Sequence, residues 1–255
     1  MAARDYGRSA LILDADDRRL SRTSHSLIAL GHQPLYATGL DELVQIAREH
    51  PDQVGVVMLP ASEAVAWCPA VIERIEPLGL SARSLLPVGV PLGSDEADAL
   101  YSHGVRWVLW QPYSPWELRF AVGMVLSDTD PNEARLQVRV PCSIAVSIES
   151  ANRASSGQLT DLSPSGAFVQ LDHPYPEGTP IEVHGMFCGS PARLRARVAW
   201  RSGVHTPGWC DTGAGIEFEA MGLETLALLR REVEASLDRF RVRPHAITLE
   251  QLAHS

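Results

Sequence analysis

Across residues 127 to 133, Ser127-Asp-Thr-Asp-Pro-Asn-Glu, the hydrophobic pattern of this 255-residue chain changes period. Before that point, compact apolar runs alternate with stretches whose apolar residues recur at helical spacing. After it, apolar residues recur at every second position between Gly, Pro, Asn and Asp turns. Alternating strand and helix build an open parallel sheet, whereas uninterrupted period-two segments build antiparallel structure, so one core cannot satisfy both halves. The polar, proline-containing stretch between them is a domain boundary, and 255 residues suffice for two cores. The sequence predicts a first domain over 1–128, a second over 129–243 including the linker, and a tail over 244–255.

In the first domain the expected order is strand Ala10–Asp14, a helix through Leu20 and Leu30 closed at Gly31, strand Gln33–Ala37, and a helix over Asp41–His50. There follow strand Val54–Leu59, a helix around Ala66–Ile75, strand Leu85–Val90, a helix near Asp95–His103, strand Val105–Trp110 and a helix Pro115–Leu126. Val54–Leu59 is a continuous apolar run, as a parallel strand buried on both faces requires. Five strand–helix repeats give an α/β doubly wound parallel sheet with helices on both faces.

The second domain reads as six strands, around Val138–Ile148, Gln158–Leu162, Ala167–Leu171, Ile181–Met186, Leu194–Trp200 and Gly215–Phe218. A six-stranded antiparallel β-barrel removes the exposed edges such strands would otherwise carry. A C-terminal helix from Met221 to about Phe240 has one apolar face, expected against the barrel or, alternatively, in a dimer seam. Pro244 ends it, and Thr248 and Gln251 have the spacing to cap one last short helix.

The boundary delivers the chain to Arg135-Leu-Gln-Val-Arg139 and, after a hairpin, to Asp161-Leu-Ser163-Pro-Ser-Gly166. Two guanidinium forks suit phosphate oxygens and the O6/N7 edge of guanine. Asp161 can accept from guanine N–H groups, the Ser163 hydroxyl can serve a phosphate or the backbone, and Gly166 is expected to supply a positive φ. Arg-x-x-x-Arg alone is a weak signal, since it occurs six times here; only the copy at Arg135 is followed by Asp-x-Ser-x-x-Gly. Solvated arginines and a turn stabilised by Asp161 and Ser163 are the alternative reading of the same residues.

Taken together, those five positions resemble the PilZ domain, the bacterial receptor module for cyclic di-GMP, with later strand segments in the expected order over about residues 132–240. The resemblance implies a β-barrel that binds cyclic di-GMP through Arg135, Arg139, Asp161, Ser163 and Gly166, with Trp200 as a stacking surface or a rim aromatic. It also implies that the arginine segment wraps the ligand, so that ordering the site can rearrange the two domains. Ala134, before the motif, leans toward one bound ligand rather than a pair.

The first domain resembles a response-regulator receiver, with Gly104–Leu118 the closest passage. The departures are chemical. Leu59-Pro60 stands where the phosphoacceptor aspartate should end the third strand, Gln111 replaces the lysine, and Pro91 occupies the hydroxyl position, with Ser94 nearby. The chain contains no lysine at all. Asp14 is followed by Ala15, leaving Asp16 and Asp17 to compensate; a solvated acidic loop capping a helix is the plainer reading of the three. Phosphoryl transfer needs acceptor, metal and cation together. The reading is a receiver-like domain that cannot be phosphorylated.

Charge and composition narrow the rest. Residues 1–130 carry 10 arginines against 17 acids, −7, and residues 131–255 carry 12 against 14, −2. An acidic first half argues against a DNA surface there. No apolar run approaches spanning length and the start, Met-Ala-Ala-Arg-Asp-Tyr, is no signal peptide, so a cytoplasmic protein without membrane insertion is expected. Cys68, Cys142, Cys188 and Cys210 lack pair spacing and are expected as buried, reduced thiols. The nine histidines show no metal spacing, and Gly213 and Gly215 lack the rest of a nucleotide fingerprint, so neither enzyme, metal nor cofactor is expected. The expectation is an effector that binds cyclic di-GMP and passes the signal to an unidentified protein partner, with a homodimer as an option. The alternative is a nucleotide-independent scaffold or dimerising adaptor.

Overall fold

The computed structural model describes residues 9–14, 20–51, 53–127, 138–151, 153–202 and 212–242. Backbone contacts divide the chain into two units, one of residues 1–131 with 240–255 and one of residues 132–239.

The first unit contains β1 (Ser9–Leu13), α1 (Ser21–Ala29), β2 (Leu35–Ala37), α2 (Leu40–Glu49), β3 (Val54–Pro60), α3 (Ala61–Ile75), β4 (Leu85–Gly89), α4 (Ser94–Ser102), β5 (Leu109–Trp110) and α5 (Pro115–Leu126). All strand pairs are parallel, in the order β2-β1-β3-β4-β5. This is the doubly wound 2-1-3-4-5 order. Successive strand side chains alternate between faces, and both faces are buried. Leu11, Leu13, Val57, Leu59 and Leu85 pack with Leu43, Val44 and Ala47 of α2, Ala64, Cys68 and Val71 of α3, and Leu100 of α4. Helices α1 and α5 pack against each other, and α5 also contacts β3 and β4.

Local sequence sets the helix ends. The Ser114 hydroxyl accepts from the Glu117 N–H at 3.2 Å and the Glu117 carboxylate accepts from the Ser114 N–H at 2.7 Å. With Pro115 at the first helical position this is a complete capping box, worth about 0.5–2 kcal/mol. Gly31 closes α1 at φ +86°, as a helix-terminating glycine should.

The sequence predicts β5 over residues 105–110, but only Leu109 and Trp110 pair with β4. The preceding residues turn their backbone groups to the C-terminal segment instead. The Val108 N–H donates to the Phe240 carbonyl at 2.9 Å and the Val242 N–H to the Arg106 carbonyl at 3.0 Å, bracketing an antiparallel bridge between Trp107 and Arg241. Phe240 and Val242 are 3% and 5% exposed, and the Phe240 ring lies 4.8 Å from that of Phe120. Residues 240–242, read from sequence as part of the second domain, therefore group with the first unit, where they bridge to the chain that precedes β5.

The second unit contains β6 (Val140–Ser150), β7 (Arg153–Ser163), β8 (Gly166–Gln170), β9 (Pro180–Phe187), β10 (Ser190–Ser202), β11 (Gly213–Phe218) and α6 (Leu223–Asp238). The strands close an antiparallel barrel in the order β10-β11-β8-β7-β6-β9, with β9 paired back to β10. Val146, Ile148, Leu159, Val183, Leu194, Val198 and Ile216 are among the buried side chains of this period-two pattern. The β9–β10 hairpin turns through Cys188 and Gly189, both at positive φ, as a right-handed twisted hairpin demands.

Helix α6 ends at Asp238, two residues before the predicted limit, and packs against β6, β7 and β9. It buries Leu228, Leu229, Val233 and Leu237, and its Glu232 carboxylate accepts the Cys188 N–H at the hairpin turn. That turn makes Cys188 exposed rather than buried; Cys142 is half-buried and Cys68 fully buried. Burial pushes the Cys68 thiol up to about 12 and the Cys142 thiol higher still, so both are protonated at neutral pH. Cys210 lies outside the described residues, as do Thr248 and Gln251. None of the described helices is long and apolar enough to cross a membrane.

Candidate ligand-binding site

Register brings the motif together. In the β6–β7 ladder Pro141 faces Asp161 and Val140 faces Leu162, so the end of β7 lies beside the chain that enters β6. The Arg139 guanidinium thereby comes within 3.5 Å of the Asp161 carboxylate, both side chains about one-third exposed. The same Asp161 oxygen accepts the Phe168 N–H at 2.7 Å. The contact spans a β-bulge between Leu159 and Asp161, which re-aims residues at the rim of a barrel. Asp161 is consequently a fixed acceptor with an arginine at its edge.

Ser163 and Gly166 end the β7–β8 hairpin and pair with each other. Ser163 is 3% exposed, and its hydroxyl donates to the Gly166 carbonyl at 3.0 Å while lying 3.3 Å from the Ser165 hydroxyl. In this state its hydroxyl serves the backbone.

Gly166 is required, though not for the expected reason: its φ is not positive. A Cβ at this position would lie 2.3 Å from the Ile216 carbonyl oxygen and 3.2 Å from Arg139 Nη2. The glycine allows β8 to approach β11 and leaves room for the arginine. Gly166→Ala is expected to destabilise the barrel by about 1–3 kcal/mol, read as a lowered thermal midpoint, because a backbone oxygen cannot swing aside.

Trp200 joins the same surface. Cross-strand pairs run from Asp161 to Phe168, from Phe168 to Gly215 and from Gly215 to Trp200, and directly opposed residues share a face of the sheet. The Trp200 ring lies 5.4 Å from the Phe168 ring at an interplanar angle of 30° and remains 38% exposed. A Cβ on Gly215 would come within 2.2 Å of the indole nitrogen, and one on Gly213 within 2.6 Å of the Phe168 ring. The glycine pair that fits no nucleotide fingerprint thus has a steric purpose, since two bare positions on one face of β11 seat two aromatic rings. Phe168, Gly213 and Gly215 were not among the sequence-derived site residues. Gly-x-Gly in a period-two run, with aromatics in neighbouring strands, is the signal that could have found them.

Arg135 lies outside the described residues, as do Asp16 and Asp17. Asp14 is not solvated, as the sequence suggested; it is 6% exposed and accepts the Leu20 N–H at 2.8 Å, at the entrance to α1. Leu59 and Pro60 close β3 fully buried, and Gln111 follows β5, so neither receiver position carries the expected acid or cation.

A family model described as the PilZ domain matches residues 133–235. No curated protein matches the chain. Among solved structures, the chain is similar to the PilZ domain of CeSA from a cellulose-synthesizing bacterium, at 22% identity over 39% of this chain and 97% of that one, with a TM-score of 0.32. It is also similar to the PilZ domain with c-di-GMP of YcgR from Escherichia coli, at 17% identity over 40% and 89% of the two chains, TM-score 0.33. A response regulator receiver domain protein from Clostridium thermocellum matches at 18% identity over 48% and 95%, TM-score 0.39.

Proposed function

We propose that this chain, which carries a PilZ domain over residues 133–235, is a bacterial effector that binds cyclic di-GMP and relays its presence to a protein partner. The observation that carries the reading is the meeting of motif residues remote in sequence: Arg139 beside Asp161, with Ser163 and Gly166 forming the adjoining hairpin. Arg139 and Arg135 supply charge-assisted forks for phosphate and guanine edges, and Asp161 is an acceptor for guanine N–H groups. The exposed face of Trp200, backed by Phe168, offers a stacking surface for a purine about the barrel rim. This is binding chemistry with no catalytic step.

Connectivity supports the relay. Arg135 is the fourth residue of the second unit, so binding it to a ligand constrains the chain close to the junction with the first. The receiver-like unit is then a surface for protein contacts instead of a phosphoryl acceptor. Incubation with acetyl phosphate is expected to leave the chain without a phosphoryl adduct by intact-mass spectrometry; a stable aspartyl phosphate would overturn this part.

Calorimetric titration with cyclic di-GMP, with GTP and cyclic di-AMP as controls, tests the proposal. Selective micromolar or tighter binding is expected. No heat and no thermal shift would favour a nucleotide-independent scaffold acting through its surfaces.

A further inference from the structure

We propose that Glu217 sets the base specificity of the site, its carboxylate accepting the N1–H and 2-amino groups of a guanine stacked on Trp200. The inference rests on the cyclic di-GMP reading and assigns a residue outside the motif. On β11, Glu217 opposes Gly166 of β8 on one side and Arg197 of β10 on the other. Gly215, two residues earlier and on the same face, opposes Phe168 and Trp200 in the same two strands. Glu217 thus stands between the arginine and the aromatic surface. Gly166 carries no side chain, and Arg139 Nη2 lies 3.2 Å from where its Cβ would be, so the guanidinium reaches the bare position next to Glu217. A Cβ on Gly215 would collide with the Trp200 indole nitrogen, which places that ring over β11 itself. Diagonal neighbours across an antiparallel ladder are about 7–8 Å apart, within reach of a long side chain. A purine on Trp200 whose phosphate meets Arg139 therefore brings an edge to Glu217.

The independent observation is that this carboxylate is uncommitted. Glu217 is exposed, and none of the described residues makes a hydrogen bond or ion pair with it. Its cross-strand cation is turned away, because Arg197 donates to the Gly178 carbonyl at 2.7 Å and lies 3.8 Å from Glu219. Asp161, by contrast, already accepts the Phe168 N–H and has Arg139 at its edge. Glu217 keeps both oxygens available.

Two available oxygens suit guanine in particular. Guanine presents N1–H and its 2-amino group side by side, a pair of donors that one carboxylate accepts together. Adenine turns an unprotonated N1 to the same oxygens, lone pair against lone pair. Hypoxanthine keeps N1–H, O6 and N7 but lacks the 2-amino group. Arginine forks grip phosphate and the O6/N7 edge, which hypoxanthine shares with guanine, so they cannot separate the two. A group that pairs with the donors of one base and leaves the other unmatched supplies the difference in affinity.

The test is calorimetric titration of the full chain with cyclic di-GMP and with its hypoxanthine counterpart, cyclic di-IMP, comparing wild type with Glu217→Ala. Wild type is expected to prefer cyclic di-GMP by about tenfold or more, the value of a charge-assisted hydrogen bond. In Glu217→Ala that preference is expected to vanish, with cyclic di-GMP bound at least about tenfold more weakly and the thermal melt unchanged. Glu217→Gln, which keeps the shape but a single acceptor, should fall between and serves in place of the alanine variant should that one melt early. Wild-type affinity in both variants would overturn the assignment. So would equal weakening toward the two ligands, which is loss of a general contact and not of base reading. Either result leaves cyclic di-GMP as the ligand, whereas a wild type that binds neither dinucleotide brings down the cyclic di-GMP reading and this inference with it.

Discussion

Replacing Arg139 with alanine is expected to weaken cyclic di-GMP binding by about 1.5–3 kcal/mol, roughly ten- to a hundred-fold in Kd, while leaving the barrel folded. The two effects separate because the ion pair with Asp161 is partly exposed and spans 3.5 Å. Such a pair contributes at most about 1 kcal/mol to stability. A guanidinium that grips phosphate or a guanine edge contributes much more to the complex, since its absence leaves ligand acceptors unmatched. Arg139→Lys is expected to recover charge without the planar fork and so to restore binding only in part. Arg135→Ala should resemble Arg139→Ala. Asp161→Ala should differ, because it also deprives the Phe168 N–H of its acceptor and therefore lowers the thermal midpoint as well. Calorimetry paired with thermal denaturation distinguishes these patterns. Undiminished binding in both arginine variants would show that the ligand is held elsewhere.

The second large effect is expected far from the motif. Phe240→Ala, or truncation after Arg239, is expected to destabilise the first unit by about 3–5 kcal/mol or more, although neither change touches residues 1–131. Phe240 is buried against Phe120, which in turn meets Trp107 edge-on at 6.2 Å. Truncation also removes Val242 from the core shared with α2, α3 and α4 and unpairs the backbone of Arg106 and Val108. The cost has two parts: a cavity under an aromatic pair and an opened sheet edge. For a unit of this size the shift in thermal midpoint is on the order of 10 °C or more. Hydrogen exchange should show the loss in β4, β5 and α5, whereas β6 to β11 keep their protection. A truncated chain whose first unit melts at the wild-type temperature would show that residues 240–242 are a passive extension.

That second prediction has a bearing on how the chain is divided. The second unit lies in sequence between two pieces of the first, and α6 runs into residues 240–242 within two residues. A fragment ending near residue 131 therefore lacks part of its own core, and functional experiments belong on the full chain.

The amino-acid sequence alone determined the class of each half and put forward five motif positions for the candidate site. Hydrophobic period is a local property, and a buried parallel strand such as Val54–Pro60 or an alternating one such as Pro180–Phe187 states its environment residue by residue. Arg139, Asp161, Ser163 and Gly166 could be singled out as candidates by type and spacing, since a two-residue hairpin places Ser163 beside Gly166 within a few positions of chain. Tertiary structure decided what depends on partners remote in sequence. The fate of residues 240–242 rested on a free edge about 130 residues earlier, where Arg106 and Val108 offered unpaired backbone groups. Nothing in the local pattern distinguishes such a strand from the frayed end of a helix. The need for Gly166 proved to be clearance from Ile216, 50 residues away, and the purpose of Gly213 and Gly215 was visible only once Phe168 and Trp200 lay against them. Sequence spacing records short-range geometry, whereas close approach of distant strands is written only in the packed barrel.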